Sequence, residues 1–249
     1  MKISVITATY NAEKTIEETL LSVRTQSHSE REHIVIDGAS KDGSMDIVKR
    51  YAPHLAYVVS EPDRGVYDAM NKGIALASGE VIGLLNADDI YAHDGVLTRI
   101  AEAFKTETLD AVFADAVFVS PEDPLQVVRR YSSARFRPDR ISWGWMPAHP
   151  TLFVRRSLFE RFGPFNPEYR IAGDFEWVAR VFSSPGIHYR YLPEEFVRMR
   201  TGGISTGGWR NTLLLNREVL RACRENGIPT NWLKILSKYP AKLLEFLNK

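Results

Sequence analysis

Asn86-Ala87-Asp88-Asp89 follows the uncharged run Val81-Ile82-Gly83-Leu84-Leu85. Two adjacent carboxylates repel each other unless a cation or a basic group lies between them. A hard divalent cation that also carries substrate phosphates is the usual solution, because it takes oxygen ligands. The other reading is a polar turn in which an Asp caps the next helix. The pair after a buried run favours metal, with Asp88 and Asp89 as its ligands. Polar residues also follow the other apolar runs: Thr9, Tyr10 and Asn11 after Ile3–Ala8, Asp37 after His33–Ile36, and Asp63 after Ala56–Ser60. A further acidic pair, Asp174 and Glu176, opens a helical stretch in the second half.

The runs that must position these residues are β-branched, apolar and short, as strands are. Between them lie segments of helical spacing: Ala12–Thr25, Met45–Tyr51, Val66–Ala77 and Asp94–Phe104. Four strand-helix units in about a hundred residues predict an α/β fold, a parallel sheet with helices on both faces. In such a sheet ligands bind beyond the carboxyl ends of the strands, where the polar residues above collect. From Ala111 the pattern changes. Val112–Val119 and Val127–Tyr131 read as a hairpin, Thr151–Val154 as a strand, Ser157–Arg161 as a helical turn and Asp174–Phe182 as a helix. His188–Leu192 and Phe196–Arg200 read as two more strands.

The end of the chain is helical. Leu213, Leu214, Val219, Leu220 and Cys223 mark one helix, closed near Asn226-Gly227. Trp232, Ile235, Leu236, Tyr239, Leu243, Phe246 and Leu247 recur at three- and four-residue spacing, with Lys234, Lys238 and Lys242 on another face and a kink at Pro240. A basic amphipathic segment of this kind lies on an anionic inner-membrane surface. Alternatively it packs on its own domain or on a second copy in a homodimer.

Composition narrows the classes. The 249 residues are 44% hydrophobic and 25% charged, the balance of an ordinary globular protein. A net charge of +1 gives no general argument for nucleic acid as a partner. The single cysteine, Cys223, excludes an internal disulfide and a Cys-based zinc cage. The start is too briefly apolar for a signal peptide, and no window has the ~18 apolar residues of a spanning helix. The expectation is a cytoplasmic protein, or one attached peripherally to the cytosolic face of a membrane.

Four ordered motifs resemble family 2 glycosyltransferases of the GT-A fold. They are Ser4-Val5-Ile6-Thr7-Ala8-Thr9-Tyr10-Asn11, Val35-Ile36-Asp37-Gly38-Ala39-Ser40-Lys41-Asp42-Gly43-Ser44, Glu61-Pro62-Asp63-Arg64-Gly65-Val66-Tyr67-Asp68-Ala69-Met70-Asn71-Lys72-Gly73 and Asn86-Ala87-Asp88-Asp89. The resemblance covers about residues 2–205 and is strongest to bacterial enzymes that build capsule, exopolysaccharide or O-antigen. It implies a GT-A (Rossmann-like), mostly parallel open sheet with acceptor-side β elements and a C-terminal helical tail. Residues 1–208 would form the catalytic domain, with a nucleotide-sugar half (1–105) and an acceptor half (106–208). Residues 209–249 would form the amphipathic tail.

The resemblance also implies roles. Ala8 and Tyr10 border the base of a nucleotide-diphosphate sugar, a UDP-sugar being favoured. Asp37 accepts a hydrogen bond from its pyrimidine ring, which suits an acceptor-only carboxylate. Asn86 stands where the family often has the first carboxylate of Asp-x-Asp; with Ala87 beside it, it keeps a hydrogen-bonding role. Asp88 holds Mn²⁺ or Mg²⁺ with Asp89 and the donor phosphates. Arg64 or Lys72 lies near the diphosphate and Asp63 or Asp68 near the sugar, unless these are local ion pairs. Asp174 is the general base of an inverting transfer, with Glu176 as its understudy. Trp143 and Trp145 stack on a sugar or flank the acceptor path, unless they are plain core packing; His149 stands where related enzymes often keep a His ahead of the acceptor-side strand, unless it is structural. The arginines from Arg129 to Arg140, with Arg155 and Arg156, attract a polyprenyl-pyrophosphate-linked or glycan acceptor, or are a solvated basic face. Arg198, Arg200 and the Gly202–Gly208 loop fold over donor phosphates. The expected activity is metal-dependent glycosyl transfer in surface polysaccharide assembly. The alternatives are a nucleotidyltransferase, disfavoured by the glycine-free loop Thr7–Asn11, and a non-catalytic nucleotide-sugar-binding subunit, disfavoured by the retention of Asp88, Asp89 and Asp174.

Overall fold

The computed structural model describes residues 1–106, 108–202 and 208–239. β1 (Ile3–Thr9) is buried along its whole length, as an uncharged strand covered on both faces must be. α1 (Ile16–Arg24) buries Ile16, Thr19, Leu20 and Val23 at helical spacing. β2 (Arg31–Asp37), α2 (Ser44–Tyr51), β3 (Tyr57–Ser60), α3 (Val66–Leu76) and β4 (Val81–Leu84) repeat the unit. The four strands are parallel, in the order β3-β2-β1-β4. All four therefore end on one edge of the sheet, which carries Thr9, Asp37, Ser60 and Leu84.

β5 (Asp89–Tyr91) comes next, where the sequence suggested only a turn into a helix. Asp89 is a poor strand former, and its three-residue strand is held from outside by late-sequence partners at Val197–Met199. α4 (Val96–Thr106), β6 (Ala111–Val119), β7 (Val127–Tyr131), β8 (Phe153–Arg155), α5 (Arg156–Phe162), α6 (Gly173–Phe182), β9 (Tyr189–Arg200), α7 (Trp209–Glu225) and α8 (Trp232–Leu236) complete the order. β6 and β7 form the expected antiparallel hairpin. The two strands expected at 188–200 are one continuous strand. Its pairing with β6 shifts register around Asp115, opposite Glu195, where Pro193 and two glutamates break the apolar pattern. Among the described residues, nine strands form one mixed sheet, β3-β2-β1-β4-β8-β6-β9-β5, with β7 also on β6.

Period-two alternation sorts side chains to the two faces. Ile6, Ile34, Ile36, Ile82 and Leu84 pack with Met70 of α3 and with the aromatic residues of α5 and α6. Val5, Val81 and Val112 pack with Val96, Leu97, Ile100 and Phe104 of α4, and Val35 packs with Ile16, Leu20 and Val48. The sheet is thus sandwiched between helices. α7 joins the first of these clusters through Val219, Leu220, Ala222 and Cys223, and α8 through Ile235, which is fully buried. Within 232–239 the chain therefore packs on its own domain. Lys242, Leu243, Phe246, Leu247 and the Pro240 kink lie outside the described residues, as does 203–207 of the glycine-rich loop. Among the described residues no helix is long and apolar enough to cross a membrane.

Candidate active site

The chain leaves β4 for Asn86–Asp89 at the shared strand-end edge. Asp88 is half-buried, while Asp89 is 3% exposed. Asn86 Nδ2 donates to Asp89 Oδ2 at 3.1 Å. Burial raises the Asp88 carboxyl above its ordinary range, against the pull of Arg200. Burial, then the charge of Asp88, pushes Asp89 up much further, with Asn86 and Arg200 opposing. The Arg200 guanidinium is engaged elsewhere, by the Asp88 carbonyl at 2.9 Å and the Glu18 carboxylate at 2.6 Å. The pair is thus short of positive charge. Among the described residues no group of three or more His, Cys, Asp or Glu gathers to hold a metal. Among the described residues Asp88 accepts from its own backbone N–H alone. One open carboxylate beside a buried one fits a divalent cation that completes its shell with ligand phosphate oxygens, and does not fit an all-protein cage.

The ends of β1, β2 and β3 converge beside it. A Cβ on Gly38 would lie 2.5 Å from Asp63 Oδ2 and 3.4 Å from the Tyr10 ring, so a side chain there would push the Asp63 carboxylate aside. Tyr10 is 62% exposed, leaving a ring face open at the edge. Asp37 is fully buried; its Oδ2 accepts from Ser40 N–H at 3.0 Å and Ser60 Oγ at 2.6 Å, and its Oδ1 from the Ser40 hydroxyl. Three of about four lone-pair sites are thus used. The Thr9 hydroxyl at the end of β1 is buried without a partner among the described residues. Ala8 and Ala87 are 9% and 7% exposed, and Ala87 packs against α1 and α2.

The loops that present these groups are zipped together. Asn11 N–H donates to Ser40 Oγ at 2.8 Å, Lys41 N–H to Asn11 Oδ1 at 2.9 Å, Ala12 N–H to Ser44 Oγ at 2.8 Å, and Glu13 N–H to Asp42 Oδ2 at 3.0 Å. Asn11 and Ala39 hold positive φ, 50° and 61°; for Ala39 this costs about 1–2 kcal/mol. Ser40, Asp42 and Ser44 therefore act as clamps between the two loops.

On α3, Arg64 pairs with Asp68 at 2.8 Å, and Lys72 pairs with Glu61 at 2.8 Å and the Pro62 carbonyl at 3.0 Å. These are local ion pairs. Asp63 alone of the four turns toward the Tyr10 edge, steadied by Gly65 N–H at 2.8 Å. The opposite polar residues of the helix reach across to the second half. Tyr67 Oη shares its one proton between the Ile171 carbonyl at 2.6 Å and Asp174 Oδ1 at 3.2 Å. Asn71 exchanges two hydrogen bonds with the Phe165 backbone, at 2.8 and 2.9 Å. Burial, then the Asp174 charge, raises the Tyr67 phenol well above its ordinary range, so it stays a donor.

Asp174 Oδ1 also accepts Phe175 N–H at 2.8 Å. Its Oδ2 faces His149 Nδ1 at 4.0 Å, too long for a hydrogen bond. Burial lowers the His149 pKa, Asp174 opposing, so the ring stands neutral; its Nε2 is buried without a partner among the described residues. Asp174 and His149 share a narrow pocket with Ile82 and Leu84 of β4, which places Asp174 beside the stretch that leads to Asp88. A Cβ on Gly173 would lie 2.8 Å from the Tyr67 ring, so a side chain there would displace it. The preceding turn is held by Glu218 of α7, whose buried carboxylate accepts the N–H groups of Arg170, Ile171 and Ala172 at 2.9, 2.9 and 2.8 Å. Tyr67, Asn71 and Glu218 were missed because their partners lie 46 or more residues away.

Glu176 is not brought to this pocket. It is 5% exposed, paired with Arg180 at 2.9 Å and approached by Asn226 Nδ2 at 3.4 Å. Trp143 and Trp145 line a separate cavity with Arg135, Arg137 and Arg140. Arg198 pairs with Glu195 at 3.0 Å.

A profile of the family described as Glycosyl transferase family 2 matches residues 4–163. The chain belongs to this family. The match spans the clamped loops, α3 and Asp88, and ends before Asp174. Among family members, a PGL/p-HBAD biosynthesis glycosyltransferase of Mycobacterium tuberculosis is 33% identical over 193 residues, covering 76% of this chain and 73% of the relative. The GT-A fold recurs in the crystal structure of S. aureus TarS 1–349 in complex with UDP-GlcNAc, at TM-score 0.70, 21% identity, and 100% and 72% coverage of the two chains. The chain spans 43% of the longer TarS structure. A mannosyltransferase from Pyrobaculum calidifontis in complex with GDP-Man and Mn²⁺ matches at TM-score 0.64 and 23% identity, over 88% of this chain and 64% of that one.

Proposed function

We propose that this protein transfers a sugar from a nucleotide-diphosphate sugar, with UDP-sugar favoured, to a hydroxyl of a glycan or lipid-linked glycan, with inversion, in surface polysaccharide assembly. The observation that carries the reading is the placing of Asp174 by Tyr67, a residue of the donor-side helix, in a pocket shared with the last residue of β4. A carboxylate thereby stands beside the end of β4, which supports Asp174 as the proton acceptor. The fold likeness to structures holding UDP-GlcNAc and GDP-Man is in keeping with a nucleotide-sugar donor.

Asp37 and the open face of Tyr10 receive the base, with Asp63 beside them. Asp88 holds a divalent cation, with Asp89 behind it and Asn86 as a hydrogen-bonding neighbour; when bound, that cation neutralises charge on the departing diphosphate. Asp174 Oδ1 is anchored by Tyr67 and Phe175, leaving Oδ2 to take the acceptor proton. As that proton moves to Asp174, the acceptor oxygen bonds to the anomeric carbon and the bond to the diphosphate breaks. The chain works on the cytosolic side of a membrane; exposed Trp232, Leu233 and Leu236 on α8 support contact with it.

Calorimetry with UDP and Mn²⁺ or Mg²⁺ tests the reading. Wild type should bind UDP in a metal-dependent way and Asp88→Ala should not. Metal-independent binding, or unchanged binding by the variant, rules out the assignment of Asp88.

A further inference from the structure

A cavity of about 520 Å³ lies away from the strand-end edge, between the 3-10 turn Pro138–Trp143 and the end of α8. Its walls include Arg135, Arg137, Arg140, Trp143, Trp145 and Ser237. The arrangement is built from inside. Phe136 and Ile141 are buried, and the Phe136 ring meets Phe113 and Phe182 edge-on at 5.4 and 5.3 Å. With these two residues pinned inward, the three arginines between and beside them are left exposed. The loop behind Trp145 is fixed by Tyr131 Oη, which donates to the Met146 carbonyl at 2.9 Å.

The C-terminal segment closes the other side. Thr230 Oγ1 donates to the Ser142 carbonyl at 2.6 Å, and the Lys234 ammonium stands 5.6 Å from the Trp143 ring centroid. Full burial of Ile235 holds α8 in place.

The charge is one-sided. Arg137 is paired with Asp139 at 3.0 Å, but Arg135 and Arg140 have no carboxylate partner among the described residues. A guanidinium fork matches a phosphate or carboxylate in two parallel hydrogen bonds. Indole faces offer flat, apolar surfaces with little conformational entropy to lose. Cavities of roughly 300–1,000 Å³ receive small ligands, and a concave wall suits a molecule that enters better than a flat bilayer. We infer that this cavity binds an anionic saccharide, its phosphate or carboxylate on Arg135 and Arg140 and a sugar ring against Trp145 and Trp143. Resting on the reading of the chain as a sugar transferase, the ligand is the charged part of the acceptor. Trp145 is four residues from His149, at most about 14 Å along the chain, and His149 faces Asp174. A bound saccharide can therefore extend toward the base.

The test uses the intact chain and its tryptophan fluorescence. Matched probes are glucose 1-phosphate with glucose and maltose 1-phosphate with maltose, alongside inorganic phosphate and phosphatidylglycerol vesicles. The phosphorylated sugars should bind at least tenfold tighter than their neutral partners and than phosphate alone, and more weakly as salt rises. Arg135→Ala/Arg140→Ala should abolish that difference, and Trp145→Ala should weaken binding of the sugars but not of phosphate. Equal binding within each pair, or an unchanged double variant, overturns the inference. So does binding confined to phosphate, or to vesicles. The same variants should keep wild-type UDP affinity by calorimetry. If wild type does not bind UDP, the transferase reading fails independently of the cavity; if UDP binds and the phosphorylated sugars show no preference, only the cavity inference fails.

Discussion

The Tyr67 hydroxyl lies 3.2 Å from Asp174 Oδ1, joining residues 107 apart in sequence. The same hydroxyl is held at 2.6 Å by the Ile171 carbonyl, so its position is set from two directions. Tyr67→Phe should keep the ring packing and lose only the donor. A hydrogen bond of this kind contributes about 1 kcal/mol, which is about a fivefold effect on rate. Donor turnover should fall five- to tenfold while UDP affinity by calorimetry stays at the wild-type value. A fall in UDP affinity with no change in turnover would place Tyr67 on the donor instead.

Asp174→Asn removes the proton acceptor and preserves size. Phe175 N–H and Tyr67 Oη can still donate to the amide oxygen. Donor binding should persist while transfer falls by about 10²–10⁴, the usual worth of a positioned base. Steady-state kinetics beside UDP calorimetry separates the two. A wild-type rate would move the base to another carboxylate.

Much of the donor-side architecture could be read from the residues alone, because it rests on local pattern. An uncharged run followed by Asn86–Asp89 marks a buried strand and its end, and the β-α alternation specifies parallel neighbours. What escaped was set by long-range geometry. On and before α3, Asp68 pairs back to Arg64, Lys72 back to Glu61, and Asn71 across to Phe165. The choice among these depends on which face the second half covers, and no local window contains that. Glu176 looked like part of an acidic motif with Asp174, but two residues along a helix is more than half a turn, and Arg180 takes it on the far side. β5 needed β9 to exist at all.

Glu218 is a long-range anchor of the same kind. Its carboxylate accepts three consecutive backbone N–H groups just before Gly173. Glu218→Gln leaves one oxygen and turns an NH₂ toward a donor. Hydrogen bonds to a charged group contribute about 1.5–3 kcal/mol each, so the loss should be about 2–4 kcal/mol by urea unfolding. Transfer should fall with it, because the turn that carries Asp174 loosens, while UDP binding at low temperature remains. Wild-type stability in the variant would mean that the turn holds itself.

The acid limb of stability should be governed from β2, by His33 and Glu32. His33 is buried with Nε2 2.9 Å from Thr7 Oγ1; burial, with the Arg31 charge adding to it, lowers its pKa to about 3. Its ordinary value is about 6.5, so below that pH the unfolded chain takes up a proton that the folded chain refuses. Stability is therefore lost as pH falls from 6.5 toward 3, by up to about 1.4 kcal/mol per pH unit. For Glu32, burial pushes the carboxyl up, but the donors Lys2, Ser4 and Ser78 outweigh it and bring the value down to about 2. Its contribution is complete above about pH 4.5 and fades as pH falls from there toward 2. Between pH 6.5 and 4.5 only His33, of these two, titrates in the unfolded chain. Urea unfolding at pH 7.5, 5.5 and 4.5 should show a steady decline in wild type. His33→Gln should lessen the decline in that interval, where His149, whose pKa burial also lowers, keeps a part of it, and should leave the decline below pH 4.5 in place. An equal slope in the variant between 6.5 and 4.5 would assign the acid sensitivity to other groups.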